Sequence, residues 1–184
     1  MKSKEKGIPL KLPSSESGFS MLEVIIAILT ITAFLTGTLQ LMAVNALYKV
    51  RAERQAQANF WIQEDFEDVK FLASTLDKKY ITADVCTNIN QGYATALRRQ
   101  LTAIPPPTTP IPAERLVAEK PIVGKDYSLF QTFKIAEQLA NPHRLRIDYR
   151  VEATDKTAKD YQNQEDVIAE SSVEVIPDAS FNCP

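Results

Sequence analysis

Apolar residues crowd into one stretch near the start of the chain. From Val24 to Leu47 there is no charged residue, and the run is preceded by Phe19, Met21 and Leu22. At ~1.5 Å per residue, such a run spans a hydrocarbon core of ~30 Å as a helix with length to spare. Past Leu47 charges enter, at Lys49, Arg51, Glu53 and Arg54, and the apolar residues take on a spacing of three and four: Ala58, Trp61, Ile62, Phe66, Val69, Leu72, Ala73 and Leu76. This is one face of an amphipathic helix. Trp61, Ile62, Phe66 and Val69 are expected on a core, and Glu53, Arg54, Gln57, Glu64, Glu67 and Asp68 on the solvent side. No proline or glycine falls between Thr38 and Gln91. The pattern therefore predicts one helix over 19–76, membrane-spanning over about 24–47 and roughly 85 Å long at standard rise; the alternative is two helices joined near Val50.

Further along, the period changes from helical to two. Leu145, Ile147, Tyr149 and Val151 alternate with Arg144, Arg146, Asp148, Arg150 and Glu152, and a second alternation runs from Val167 to Ile176. Together with Tyr127 to Ile135 they predict three strands, each with one buried and one wet face. Asn141-Pro142 predicts a turn between the first two. Thr154 to Asp166 reads as a long mobile polar link, and Ala94 to Leu101 as a short helix with Arg98 and Arg99 exposed. Five prolines between Pro105 and Pro112 predict an extended, polyproline-like surface loop over 104–112. An antiparallel sheet packed on the amphipathic half of the helix makes an α+β head over 77–184.

Charge narrows the function less than hydropathy does. The net charge is −2, from 21 basic and 23 acidic residues, which gives no general case for nucleic acid as the main partner. Residues 1–18 form a lysine-rich leader with Pro9 and Pro13, and a cation-rich segment before an apolar run stays on the cytoplasmic side. One histidine, His143, leaves little room for histidine-based catalysis and reads as a turn residue. No nucleophile set, phosphate loop, metal-ligand spacing or internal repeat is visible, so no catalytic activity, cofactor or metal is expected.

The residue out of place is Glu23, a carboxylate at the head of an apolar helix, where burial without a partner is costly. Gly18-Phe19-Ser20-Met21-Leu22-Glu23, followed by Val24-Ile25-Ile26-Ala27-Ile28-Leu29, resembles the class III signal of type IV prepilins and type II secretion pseudopilins. The resemblance covers about residues 1–55 and implies a pilin-like fold. It implies cleavage by a prepilin peptidase between Gly18 and Phe19 on the cytoplasmic side, N-methylation of Phe19, and a register contact in which Glu23 pairs with the amino terminus of a neighbouring subunit. Many major pilins carry a helix-kinking proline where this chain has Gln40, which points toward a minor pilin or pseudopilin. The implied partners are the peptidase, other pilin or pseudopilin subunits, the inner-membrane assembly platform and, before assembly, membrane lipid.

In that topology the head lies outside the cytoplasmic membrane, single-pass, and later in an extracellular or periplasmic filament. Cys86 and Cys183 then sit where disulfides form, and pilins often close their C-terminal region by such a bond; two free thiols are the alternative. Two further functions stay open. The head of a minor pilin could bind DNA, a surface or an exported polysaccharide through Arg98, Arg99, Arg144, Arg146 and Arg150. Alternatively, the chain is an unrelated single-pass membrane anchor or sensor.

Overall fold

A computed structural model describes residues 18–161 and 163–183. The expected leader, apart from Gly18, lies outside the described residues. The fold is α+β: a 54-residue helix, α1 (Met21–Ser74), and a four-stranded antiparallel sheet. The chain divides into two compact units between Leu47 and Tyr48, so the second half of α1 belongs to the head.

Before Leu47 the helix is apolar all round, and none of its membrane-length window is buried within the protein. Its threonines are absorbed locally. Thr30, Thr32 and Thr36 each donate a hydroxyl to the carbonyl four residues back, at 2.8, 2.7 and 2.8 Å, and Thr38 donates to Leu35 O at 2.9 Å. Bonded this way, a hydroxyl costs little in a medium without water.

In the head, α1 buries Ala58, Trp61, Ile62, Asp65, Val69 and Ala73, the face that the periodicity predicts, with Phe66 and Leu72 partly buried beside it. The sheet is a meander in the order β1 (Glu114–Ile122), β2 (Lys125–Phe133), β3 (Leu145–Ala153), β4 (Val167–Val175). Tyr127, Leu129, Leu145, Ile147, Tyr149 and Val151 fill the space between sheet and helix. The alternation expected in β3 is therefore the one observed, with Leu145, Ile147, Tyr149 and Val151 inside.

Strand β1 is the one the pattern did not reveal. Its sequence contains Lys120 and Pro121 and shows no clean alternation. As an edge strand it can accommodate a proline that a central strand could not. It joins β2 by a two-residue turn, Val123-Gly124, both at positive φ (46° and 75°); the second is a normal glycine position, while the first is rare for a β-branched residue. The expected strand end at Ile135 also shifts. β2 stops at Phe133, and a short helix α3 (Ile135–Ala140) precedes the Asn141-Pro142 turn.

A helix α2 (Tyr93–Thr102) sits where a short helix was expected, but its environment corrects the reading of its arginines. Arg98 and Arg99 are buried, at 8% and 2% exposure, not solvated. Arg99 donates to Thr108 O at 2.8 Å, tying α2 to the proline run. That run is not uniformly extended, because Thr108 N–H bonds to Pro105 O (3.2 Å) and closes a turn inside it. The 154–166 link makes contacts with the head. Lys125 donates its ammonium to Ala158 O, Thr154 N–H bonds Asp126 O (3.0 Å), and Gln164 is buried.

Gly92, just before α2, has Pro142 O only 2.1 Å from where a Cβ would sit. The same carbonyl accepts from Ala94 N–H at 3.0 Å, and His143 Nδ1 accepts from Tyr93 N–H at 3.3 Å. The Pro142-His143 turn thus caps α2, which accounts for the single histidine. Gly92→Ala must push the turn off the helix and should cost about 1–3 kcal/mol, read as a lower midpoint in chemical denaturation of the full chain.

Cys86 and Cys183 are joined by a disulfide across a sequence separation of 97. By loop closure alone this bond stabilises the head by about 4–5 kcal/mol. Reducing it, or replacing both cysteines with alanine, should cost stability of about that order, measured as denaturation midpoints with and without reductant.

Candidate functional site

The candidate site is the start of α1. Gly18, Phe19 and Ser20 precede the helix without regular structure, and Phe19 is 87% exposed. Helical hydrogen bonding begins with Val24 N–H to Ser20 O at 3.3 Å. Ser20 Oγ accepts from Leu22 N–H at 3.2 Å, and the Glu23 carboxylate reaches back to accept from Ser20 N–H at 3.1 Å. This reciprocal arrangement is a capping box, which satisfies amides that a helix start leaves without partners. Its signature, Ser-x-x-Glu ahead of an apolar run, was present in the sequence and is a role for Glu23 that the register argument overlooks. Glu23 remains exposed at the side of the helix, so the cap does not hide the carboxylate from a second partner. Gly18 and Phe19 therefore form an accessible peptide link without regular structure, with Phe19 four residues ahead of the capping glutamate.

The head supplies no comparable reactive cluster among the described residues, and none of its His, Cys, Asp and Glu residues group as metal ligands there. Its arginines are engaged instead. Arg144 pairs with Glu174 (3.2 Å), Arg146 with Glu137 (3.0 Å), and Arg150 with Glu114 (3.0 Å) and Glu152 (3.1 Å). These partly exposed pairs contribute little stability each, but they cancel the positive row that the sequence suggests on the wet face. Arg98 and Arg99 are inside the head and do not join that row.

Arg54, expected at the surface, is buried at 6% exposure. Its guanidinium donates to Val123 O (3.0 Å) and pairs with Asp160 (2.6 Å). It clamps the β1–β2 turn and the 154–166 link to α1, which no local pattern could reveal because its partners lie far along the chain.

A second buried polar chain crosses the head. Arg115 donates to Leu101 O and, through Nε, to Gln131 Oε1 at 2.7 Å. Gln131 Nε2 donates to Asp65 and to Tyr149 Oη (3.1 Å). The chain joins α2, β1, β2, α1 and β3 through side chains that leave the core polar yet paired. Burial, reinforced by the Asp65 carboxylate, pushes the Tyr149 phenol well above its ordinary range, and burial pushes Tyr127 upward too.

The fold and its helix start define a class: a small α+β head carried on a single apolar helix long enough to cross a membrane. No protein-family model matches the chain, and no curated protein or solved structure does.

The two buried tyrosines set an alkaline limit. Because their folded pKa values are raised, the unfolded chain releases these protons first, so stability falls as pH rises through the ordinary phenol range near 10. Tyrosinate absorbance should therefore show a step that coincides with alkaline unfolding, and Tyr149→Phe and Tyr127→Phe should each make that step smaller by one tyrosine.

Proposed function

We propose that the chain is a structural subunit of a type IV pilus or a type II secretion-like filament, a minor pilin or pseudopilin made as a precursor and assembled through its N-terminal helix. The observation that carries this reading is the Gly18–Glu23 run, with its scissile-type link unstructured and exposed directly ahead of an apolar helix. Support comes from the α+β head, in which an amphipathic continuation of the same helix packs on an antiparallel sheet, and from the disulfide that suits an exported compartment.

In this reading a prepilin peptidase cuts between Gly18 and Phe19 on the cytoplasmic face, and Phe19 becomes the methylated amino terminus. The apolar half of α1 rests in membrane lipid until the assembly platform draws it against the helices of other subunits. There Glu23 meets the amine of a neighbouring Phe19. A carboxylate moved from water into a helix bundle needs a cation to offset its desolvation, so only one axial register is favourable. The capping bond to Ser20 N–H uses one carboxylate oxygen and leaves the other for that contact. The reading gives the head no catalysis and no cofactor. It also favours filament structure over capture of DNA or polysaccharide, since the arginines that such capture would use are paired or buried.

Intact mass and N-terminal sequencing of the protein from its native membrane should give a chain that begins at Phe19 and carries one methyl group. A chain retaining Met1 would favour the unrelated anchor. Glu23→Gln separates the two roles of that side chain, because the amide still accepts from Ser20 N–H but carries no charge. It should leave membrane insertion and cleavage unchanged and lower filament incorporation by at least about tenfold. Wild-type incorporation of Glu23→Gln would reduce Glu23 to a helix cap.

A further inference from the structure

The two edges of the sheet are built differently. β1 carries Pro121, Lys120 and a register break at Leu116/Ala118, features that blunt an edge against added strands. β4 carries no proline and no lysine or arginine, and its register break lies at its beginning, opposite Val151/Glu152. From Ala169 to Val175 it runs in unbroken register on β3.

The direction of its free groups follows from two bonds. Arg146 O accepts from Lys134 N–H (3.0 Å) on the β2 side of β3, and Ala153 N–H donates to Asp166 O (2.8 Å) on the other side. Backbone groups alternate along an antiparallel strand, so Leu145, Ile147, Tyr149 and Val151 bond to Val175, Val173, Ser171 and Ala169. Glu170, Ser172 and Glu174 then aim their N–H and C=O groups away from the sheet. Apart from the ladder to β3, no hydrogen bond among the described residues involves the β4 backbone. A shallow concavity of 490 Å³ lies along residues 165–170 at this edge.

The chemistry of the edge is one-sided. From Asp160 to Cys183 the chain has no lysine, arginine or histidine, but carries Asp160, Glu165, Asp166, Glu170, Glu174 and Asp178. Glu170 is exposed and has no ion pair among the described residues; Glu174 has only the half-exposed Arg144.

We propose that the β4 edge is a docking site for an extended segment of another protein that adds as a fifth strand and carries lysine or arginine at alternate positions. Its backbone would pair with Glu170, Ser172 and Glu174, and its basic side chains would stand beside the two glutamates on the wet face, giving affinity from the ladder and selectivity from charge. A second copy of this edge brings no lysine or arginine to answer Glu170 and Glu174. Antiparallel pairing of two β4 edges about Ser172 sets Glu170 of each copy against Glu174 of the other, and like charges directly opposite repel. The opposite edge, β1, is closed by Pro121 and its register break. The proposal stands on the head alone and is independent of the filament reading.

The test uses the full-length, isotope-labelled protein in detergent micelles and three synthetic peptides: Lys-Val-Lys-Thr-Lys-Val-Lys, its glutamate counterpart, and the basic peptide N-methylated at its third and fifth residues, whose amides face β4 when the lysines stand opposite Glu170, Ser172 and Glu174 in an antiparallel ladder. The basic peptide should bind saturably and protect the amides of Glu170, Ser172 and Glu174 from hydrogen exchange, while the other two peptides bind at least about tenfold more weakly. Ser172→Pro, which removes the outward amide together with the hydroxyl that bonds Asp148 and Arg146, should abolish binding, and Ser172→Ala, which removes the hydroxyl alone, should keep it. Glu170→Lys, which leaves the backbone untouched, should weaken it about tenfold and keeps the test decisive if the proline variant misfolds. Binding without protection of those amides would show mere charge attraction and overturn the proposal. So would equal binding of the acidic peptide, or sedimentation showing that the free protein already pairs with itself through this edge.

Discussion

The burial of one face of α1, from Ala58 to Ala73, against the inner side of the sheet is the contact on which the head depends. Trp61, Ile62 and Val69 supply most of the apolar area there. Each such side chain gains about 1.5–3 kcal/mol by leaving water. In the middle of that stripe sits Asp65, a charge that would undo much of the gain if it were left unpaired. Gln131, Tyr149 and Arg115 surround it, so the polar chain and the apolar stripe are parts of one packing solution. Because Gln131 bonds to α1, β1 and β3 at once, the sheet has little freedom to slide along the helix.

The same helix faces two environments along its length. From Val24 to Leu47 it carries no charge, and its threonines return their hydroxyls to the backbone. After Tyr48 only one face is apolar. A continuous hydrogen-bonded backbone runs through both, so the chain moves from one environment to the other by changing side chains alone. At its beginning Ser20 and Glu23 close the free amides of the first turn, and the link at Gly18-Phe19 stays outside the helix as a consequence.

Charge in the head is spent mostly on structure. Arg54, Arg99 and Arg115 each hold backbone carbonyls of other segments, and Arg144, Arg146 and Arg150 are matched by acids on α3, β1, β3 and β4. At the β4 edge, Glu170 has no ion pair among the described residues. The surface therefore offers little to a polyanion and more to a basic, extended partner.

Much of this was legible in the residues themselves. An uncharged run of membrane length, a following three-four periodicity and a clean period of two in β3 are local signals. They identify the helix, its buried face and the α+β class because helices and strands each impose a fixed spacing on a two-sided environment. The capping box was legible too, in Ser20 and Glu23. Strand β1 was not, because an edge strand tolerates Pro121 and so need not look like a strand. Nor were the burial of Arg54, Arg98 and Arg99 or the pairing of Arg144, Arg146 and Arg150. A guanidinium reads as solvated until its acceptors are known, and for Arg54, Arg144 and Arg150 acceptors lie tens of positions away, at Val123, Glu174 and Glu114. The sequence by itself determined which segments could be helix, strand and membrane span; only the tertiary structure decided which charges are free, since that depends on what the fold brings beside them.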